Sequence, residues 1–335
     1  METAMLFAGL ARRHFIRAVV LAATAVAAAP AFAQSSWPDR PVRLVVPVGA
    51  GGAADTLARN LSSGFQQLAN NQPLIIENRP GGGGTTAATA VAREKPDGYT
   101  LFLAEVGANA VAHALQSKLA YDPHTAFTPI IHAANLPVAL VMKPTLPYKN
   151  LGELIADARK QPGKFNYSSA GVGNWTHLFM AYLNAQAKID IVNVVYRSGA
   201  EMLTAVVRGD ADVSPITVST ALGQIKEGKV KGLAGFPAKQ IPQLPDTPPA
   251  SQDLPGFSIE LWHGIVAPAG MDPALVARIN SIFNQVLETP AVRNAINVAQ
   301  AAEVVGGSAA KFDALIKDEL KRWPQVVKDA GIKAE

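Results

Sequence analysis

Residues 42–55 read VRLVVPVGAGGAAD, and this stretch decides the fold of the chain. Its first part, Val42–Val48, is a short apolar run rich in Val, which predicts a buried strand. Gly49–Gly52 then turn the chain. After them, apolar side chains return at every fourth position from Leu57 to Phe65, which is typical of an amphipathic helix. A strand, a glycine-rich turn and a helix in this order form one βα unit.

The same unit recurs along the chain in two series, which favours parallel sheets with helices on both faces. Apolar strands predicted at 138–142 and 259–268 bracket the second series. This order predicts an α/β fold of two doubly wound lobes, joined by two crossing strands, with a ligand cleft between them. Lobe 1 would comprise 34–136 plus 259–335, and lobe 2 would comprise 137–258. The other predicted strands are 74–76, 99–103, 165–168, 191–195, 211–214 and 230–234.

The first 33 residues have the three parts of a secretory signal peptide. A basic segment with three arginines is followed by an apolar run at 18–29 and by the small-residue cleavage motif Ala31-Phe-Ala33. We therefore expect a cleavable signal peptide at 1–33 and a mature protein outside the cytoplasm. Arg12-Arg13 also resembles the twin-arginine export motif, so the general secretory route and the twin-arginine route both stay open.

The composition excludes several classes of protein. Hydrophobic residues make up 49% of the chain and charged residues 17%, which suits a folded core. The net charge of +4 falls partly in the leader and is too small to indicate a nucleic-acid partner. No cysteine is present, so disulfides and a cysteine nucleophile are excluded. The histidines lack the H-E-x-x-H and H-x-H spacings, and no G-x-S-x-G occurs, so we predict no metal and no catalytic residue.

Two loops rich in small residues predict an anion-binding site. Gly49–Gly52 opens one helix, and 168–174, with the sequence SSAGVGN, precedes a predicted helix that contains His177. Backbone N–H groups at a helix N-terminus are unpaired and lie at the positive end of the helix dipole, so they bind anions. One such loop is weak evidence, but one in each predicted lobe favours an anionic ligand held between the lobes.

The first loop also fits two other interpretations. Gly49-x-Gly51-x-x-Ala54 follows a strand and opens a helix, and Glu77 ends the next strand, where a ribose-binding acid is expected. An exported NAD(P)-dependent oxidoreductase is therefore one alternative, although Pro47 and the lack of a nicotinamide pool outside the cytoplasm count against it. A tight turn without a ligand is the other.

Glu105 and His177 each allow two interpretations. Glu105 follows the third predicted strand and is either a solvated loop acid or a cleft residue that receives an amine or a hydroxyl. His177 contacts either the ligand or its neighbours on the helix.

Several ordered motifs resemble those of one known family. They are Trp37-Pro-Asp-Arg-Pro-Val-Arg-Leu-Val-Val-Pro47, Gly51-Gly-x-x-Asp55, Glu77-Asn-Arg-Pro-Gly81, Pro96-Asp-Gly-Tyr-Thr100, Pro162-Gly-Lys-x-Asn-Tyr167, Gly171-x-Gly-x-x-x-His177, Trp262-x-Gly264 and Ala267-Pro-Ala-Gly270. Through them the chain, from about 37 to 333, resembles the Bug family, the TctC-like substrate-binding receptors of tripartite tricarboxylate transporters.

The resemblance implies a periplasmic-binding-protein-like fold of type II and a periplasmic receptor that binds a small carboxylate and catalyses nothing. It implies membrane permease subunits of a tripartite tricarboxylate transporter as partners, with a sensor kinase as an alternative partner. It implies no cofactor and no nucleic acid, and we expect a monomer.

The predicted ligand-binding residues are Val48, Gly49, Ala50, Gly51, Gly52, Asp55, Glu105, Ser169, Ala170, Gly173, Asn174, His177 and Thr217. The chain departs from the family at some of these positions, since Val48 stands where an aromatic residue is usual and Asn174 where Ser is typical. Ile216 stands where some members have an acid that meets a ligand's amino group. We therefore expect a dicarboxylic or aromatic acid rather than an amino acid, unless Glu105 receives the amino group.

Overall fold

The structure, a computed structural model, describes residues 37–116, 118–329 and 331–332. The signal peptide predicted at 1–33 lies outside these residues. The strands in the described part of the chain are β1 (Val42–Val46), β2 (Leu74–Asn78), β3 (Thr100–Glu105), β4 (Phe127–Leu136), β5 (Val138–Met142), β6 (Asn166–Ser169), β7 (Val192–Val195), β8 (Val213–Thr217), β9 (Lys231–Gly235), β10 (Leu261–Pro268) and β11 (Glu303–Val304).

Helices connect these strands, and polar side chains cap several of them. Asn150 accepts a hydrogen bond from the Glu153 N–H at 2.9 Å, and Ser198 accepts one from the Glu201 N–H at 3.2 Å. Such caps satisfy backbone donors that have no partner inside the helix. The helices are α1 (Ala53–Leu68), α2 (Thr85–Ala92), α3 (Ala112–Leu115), α4 (Leu151–Lys160), α5 (Trp175–Ala187), α6 (Gly199–Arg208), α7 (Val218–Lys226), α8 (Pro273–Glu288), α9 (Pro290–Asn294) and α10 (Ala309–Asp329).

The strands form two sheets, and each sheet is the centre of one lobe. The first sheet has the order β11-β4-β10-β3-β1-β2 and defines lobe 1, and the second has the order β7-β6-β8-β5-β9 and defines lobe 2. The central strands β3 and β10 are buried along their whole length. Their mostly apolar sequences follow from this position, because helices or loops cover both faces.

Two stretches of chain pass between the sheets. Pro137 alone separates β4 of lobe 1 from β5 of lobe 2, and 236–260 lead from β9 back to β10. The predicted fold class, an α/β fold of two lobes joined by two crossings, is confirmed.

The expectation of parallel sheets is wrong for the crossing strands. β1 pairs in parallel with β2 and β3, but β10 runs antiparallel to β3 and β4, and β5 runs antiparallel to β8 and β9. The helical crossover that makes neighbouring strands parallel exists only inside a βα unit. The crossing strands β5 and β10 belong to no such unit, so they can run antiparallel to their neighbours.

The C-terminal helix α10 ties the two lobes together. It packs on lobe 1, where Phe312 lies edge-on to Trp262 with ring centres 5.6 Å apart. It also reaches lobe 2, where Trp323 stacks on Phe179 of α5 at 6.0 Å. If the lobes move relative to each other, α10 must therefore bend or slide at one of these contacts.

Gly264 in β10 is predicted to be indispensable for stability. A methyl group there would overlap the ring of Phe312 and lie 2.6 Å from the carbonyl oxygen of Ile131. Overpacking in a core costs about 1–3 kcal/mol and occasionally more. We expect Gly264→Ala to lower the free energy of unfolding in urea by at least ~2 kcal/mol. Gly223→Ala is the control, because Gly223 lies on helix α7 with open space around it and should be neutral or stabilising. Equal stabilities of the two variants would contradict this packing.

Candidate ligand-binding cleft

The carboxyl ends of the parallel strands meet at one edge of each sheet. In lobe 1 this edge carries the loop 47–52 and the segments 79–84 and 106–111, which include short helical turns, and in lobe 2 it carries the loop 170–174. The two edges face each other. A side-chain carbon at Gly83 of lobe 1 would lie only 3.3 Å from the carbonyl oxygen of Gly173 in lobe 2. The space between these loops is the cleft.

The buried carboxylate of Asp55 holds the loop 47–52 in place. It accepts hydrogen bonds from the Gly51 N–H, from Asn78 Nδ2 and from Arg59 Nε, each at 2.9 Å. Asn78 Nδ2 also donates to the Val48 carbonyl at 3.0 Å. Burial alone would raise the pKa of Asp55, but the hydrogen bonds from Arg59, Gly51 and Asn78 outweigh it and hold that pKa below its ordinary value. Asp55 therefore shapes the loop, and its oxygens are already occupied.

The remaining amides of this loop are free. Gly49, Ala50 and Gly52 are exposed, and none of their N–H groups donates to another residue in the described part of the chain. Gly52 is the N-cap of the sixteen-residue helix α1. Unpaired amides at the positive end of a helix dipole attract anions, so this loop has the chemistry of a carboxylate site.

The lobe-2 loop, by contrast, uses most of its amides internally. The Ala170 N–H donates to Thr176 Oγ1 at 2.8 Å, and the Gly173 N–H donates to His177 Nδ1 at 3.3 Å. Ser169 Oγ accepts from the Gly171 N–H at 3.4 Å. The sequence predicts donors here, and the structure shows that intramolecular partners occupy them. The longer of these bonds are weak, so a ligand can compete for them.

Asn174 keeps one donor for a ligand. Its Oδ1 caps helix α5 by accepting from the Thr176 N–H at 3.0 Å and from Thr176 Oγ1 at 2.9 Å. No described residue accepts from its Nδ2. Since the cap fixes the orientation of the amide, Nδ2 is a pre-oriented donor beside the cleft.

His177 lies in the first turn of helix α5. Burial lowers its pKa, so the ring is neutral at neutral pH, which agrees with Nδ1 accepting from Gly173. The residue lines a groove of about 790 Å³ between lobe 2 and the C-terminal segment, together with Tyr167, Asn184, Asp190, Asp329 and Ile332. Through its hydrogen bond to Gly173, His177 supports the lobe-2 loop.

Thr217 and Ile216 end strand β8, and both residues are buried. The Thr217 hydroxyl bonds to the Thr220 hydroxyl at 2.8 Å, and its residue is 5% exposed. Ile216 packs in the lobe-2 core with Val141 and Leu203. Because Ile216 packs in the core, its identity does not argue against an amino acid as the ligand.

Glu105 is not a solvated loop acid, because only 2% of the residue is exposed. It lies opposite His263 of β10, with 3.6 Å between Glu105 Oε2 and His263 Nε2. No sequence motif pointed to His263, since it is an isolated histidine in a mostly apolar strand.

The glycine run after β2 is a part of the cleft that the sequence prediction missed. Gly82, Gly83 and Gly107 of lobe 1 and Val172 and Gly173 of lobe 2 border a cavity of about 20 Å³ between the lobes. That volume suits one water molecule and no organic ligand, so the lobes lie close together in this structure. Four consecutive glycines after a strand, at 81–84, were the available signal.

The described residues do not form a nucleotide site or a metal site. Glu77, the candidate ribose acid, pairs with Arg43 at 3.2 Å and with Arg79. No group of three or more metal-ligating side chains occurs among the described residues. Within those residues, no helix is both long and apolar enough to cross a membrane.

Two lobes around a cleft with unpaired amides define the class of solute-binding proteins with the periplasmic-binding-protein fold. The family model described as tripartite tricarboxylate transporter family receptor, TctC, matches residues 57–332. The chain belongs to this family, and the resemblance to the Bug family seen in the sequence is confirmed.

Solved structures of related proteins show the same fold. The protein Rpa4515 of R. palustris, solved with adipate, is 30% identical and has a TM-score of 0.82, over 89% of this chain and 100% of that one. The periplasmic binding protein BugD is 29% identical with a TM-score of 0.81, over 89% and 100%. MatC from Rhodopseudomonas palustris, with bound malate, is 33% identical with a TM-score of 0.79, over 87% and 100%.

Asp55→Asn is predicted to loosen the lobe-1 loop. The amide cannot accept all three hydrogen bonds, and loss of charged hydrogen bonds costs about 1–3 kcal/mol. Because the folded pKa lies below the ordinary value of 3.8, this contribution is present at neutral pH and is lost as the pH falls through the folded pKa. Urea unfolding at pH 7 and pH 3 should therefore show a smaller difference between wild type and variant at pH 3.

The control for this variant is Asp313→Asn, which removes a carboxylate from an exposed pair with Lys317. Exposed pairs contribute little, and we expect a change below ~0.5 kcal/mol. Equal effects of the two substitutions at pH 7 would show that Asp55 does not hold the loop.

Proposed function

We propose that this protein captures a small carboxylated organic compound in the periplasm and presents it to the permease of a tripartite tricarboxylate transporter. The observation that carries this proposal is the set of free, exposed amides at Gly49, Ala50 and Gly52 at the N-terminus of α1. They lie on the same sheet edge as Gly83, which approaches Gly173 of lobe 2. They form an anion site of backbone donors, which needs no arginine.

Two relatives support a dicarboxylate as the ligand. Rpa4515 was solved with adipate and MatC with malate, and both compounds carry two carboxylates. In this proposal one carboxylate binds the amides of the loop 47–52, and Asn174 Nδ2 closes on the ligand from lobe 2. An aromatic acid is the less favoured ligand.

The lobes then act as a clamp. We place the lobe boundaries at 34–136 plus 259–335 and at 137–258, with the hinge at Pro137 and in 236–260. The cavity bordered by Gly83 of lobe 1 and Gly173 of lobe 2 has room for about one water molecule, so the lobes must part there for a ligand to lie between them. A ligand that contacts both lobes favours the closed state, because its affinity for that state is higher.

The protein acts in this proposal as a monomeric receptor without cofactor or reaction. The signal peptide at 1–33 directs export and is removed. A permease that recognises the closed arrangement of the two lobes would distinguish loaded from empty receptor.

The first test is a thermal-shift screen of the purified protein against dicarboxylates, aromatic acids, amino acids and NAD(P). Binding to the folded state stabilises it by about 2.7 kcal/mol when the ligand is at 100 times its Kd. We expect a rise in Tm with at least one dicarboxylate. A rise with NAD(P) alone would contradict the proposal, and so would the absence of a shift with every carboxylate.

The site itself is tested with Asn174→Asp. Asp keeps the helix cap but replaces the Nδ2 donor with a negative oxygen beside the bound carboxylate. We expect at least tenfold weaker binding in calorimetry at an unchanged Tm of the free protein. Asn294→Asp makes the same charge change at an exposed position on α9 and should leave the affinity unchanged. Wild-type affinity in Asn174→Asp would place the ligand elsewhere.

A further inference from the structure

Glu105 and His263 form a buried pair at the lobe-1 edge of the cleft. Glu105 ends β3, His263 stands opposite it on β10, and both side chains are 2% exposed. The distance of 3.6 Å between Oε2 and Nε2 exceeds that of a hydrogen bond. His263 Nδ1 has no hydrogen-bond partner among the described residues either. The two side chains are thus close enough to attract each other, but no hydrogen bond joins them.

The Glu105 carboxylate lacks donors. Its backbone N–H donates to Asn109 Oδ1 at 3.3 Å, but no described residue donates a hydrogen bond to either carboxylate oxygen. A buried carboxylate that is not hydrogen-bonded is costly, and almost all buried polar groups in folded proteins have a partner. Such a group at the edge of a binding cleft is explained if the ligand supplies the missing donor.

The backbone around Glu105 leaves Oε1 open towards the cleft. Side-chain carbons at Gly84 and Gly107 would lie 3.4 and 3.6 Å from Oε1. Gly107 also lines the cavity between the lobes, and the Gly84 position lies 3.3 Å from Pro47, where the lobe-1 loop begins. Since both covering residues are glycines, no side chain of theirs stands between Oε1 and the cleft.

We propose that Glu105 determines the specificity of the cleft by accepting a hydrogen bond from a hydroxyl or ammonium group of the ligand. This inference rests on the proposed function, in which the free amides of the loop 47–52 hold the ligand's carboxylate. His263 is a positioning residue, which attracts Oε2 and leaves Oε1 for the ligand. The negative oxygen repels a second carboxylate at this end, so the ligand class narrows to carboxylates that carry a donor substituent.

Calorimetry with matched ligands tests the inference. The pairs are succinate against malate and glutarate against 2-hydroxyglutarate, with glutamate as the ammonium-bearing member of the second series. We expect the donor-bearing compound to bind wild-type protein at least tenfold more tightly than its parent acid. The hydroxy acid and the amino acid in the second series show which donor fits better.

Glu105→Gln should reduce this preference to threefold or less, because the neutral amide oxygen is a weaker acceptor of the hydrogen bond from the ligand's hydroxyl or ammonium group. His263→Gln should reduce the preference as well. A loss of fold or of general affinity would weaken both members of a pair equally, whereas loss of this contact changes their ratio. Glu77→Gln removes a carboxylate from strand β2 of the same sheet, which β1 separates from β3, and should leave the ratio at its wild-type value.

Gly107→Ala provides a second variant if Glu105→Gln does not fold. Its methyl group would lie 3.6 Å from Oε1 and 3.1 Å from the Gly83 carbonyl oxygen, so it would shield the carboxylate and abolish the preference. Equal wild-type affinities within each pair would overturn the inference, and so would a wild-type ratio in these variants. In both cases the binding of parent acids leaves the proposed function standing. If no carboxylate binds at all, the proposed function fails and this inference fails with it.

Discussion

The hydrogen bonds of the buried Asp55 carboxylate are the interaction on which the cleft depends. They join the first turn of α1, the strand end at Asn78 and the amide of Gly51. An acid in the first turn of a helix is also favoured by the helix dipole. Because all of these donors converge on one carboxylate, the chain around it cannot relax, and the neighbouring amides of Gly49, Ala50 and Gly52 remain unpaired and exposed.

The two halves of the cleft are prepared differently. Lobe 1 presents a rigid loop with free donors, whereas the loop of lobe 2 is closed on itself through Ser169, Thr176 and His177. This difference suits a receptor in which the ligand binds first to the prepared lobe. In the proposed mechanism the second lobe then contributes Asn174 Nδ2, and its own amides where the ligand replaces the weaker internal hydrogen bonds. Domain closure of this kind needs only the two crossings and a sliding contact along α10.

Local sequence was sufficient to predict most βα units, since each has its own apolar period and turn residues. It could not predict that β5 and β10 run antiparallel to their neighbours. The direction of a crossing strand depends on the side from which the chain enters the new lobe, and no local pattern records that side. Strand β4 was missed because Pro129, His132 and Asn135 interrupt its apolar pattern, and its pairing with β10 contains two register shifts.

The candidate site was also predictable only where it rests on a local pattern. The glycine loop after β1 is such a pattern, and Asp55 was identified through the motif Gly51-Gly-x-x-Asp55. The partners of Asp55, however, come from other parts of the chain, and so does His263 opposite Glu105. Whether a loop amide is free or already bonded depends on such distant partners and on side-chain orientation. Neither can be deduced from a pattern of small residues.

The most direct test of this account is a crystal structure of the protein with its best-binding carboxylate. We expect the ligand to lie between the lobes, with carboxylate oxygens about 2.7–3.2 Å from at least two amides of 49–52. We also expect a contact to Asn174 in the same complex. A ligand bound in the groove beside His177 and Asp329, or one that touches no amide of the loop 47–52, would contradict the proposed site.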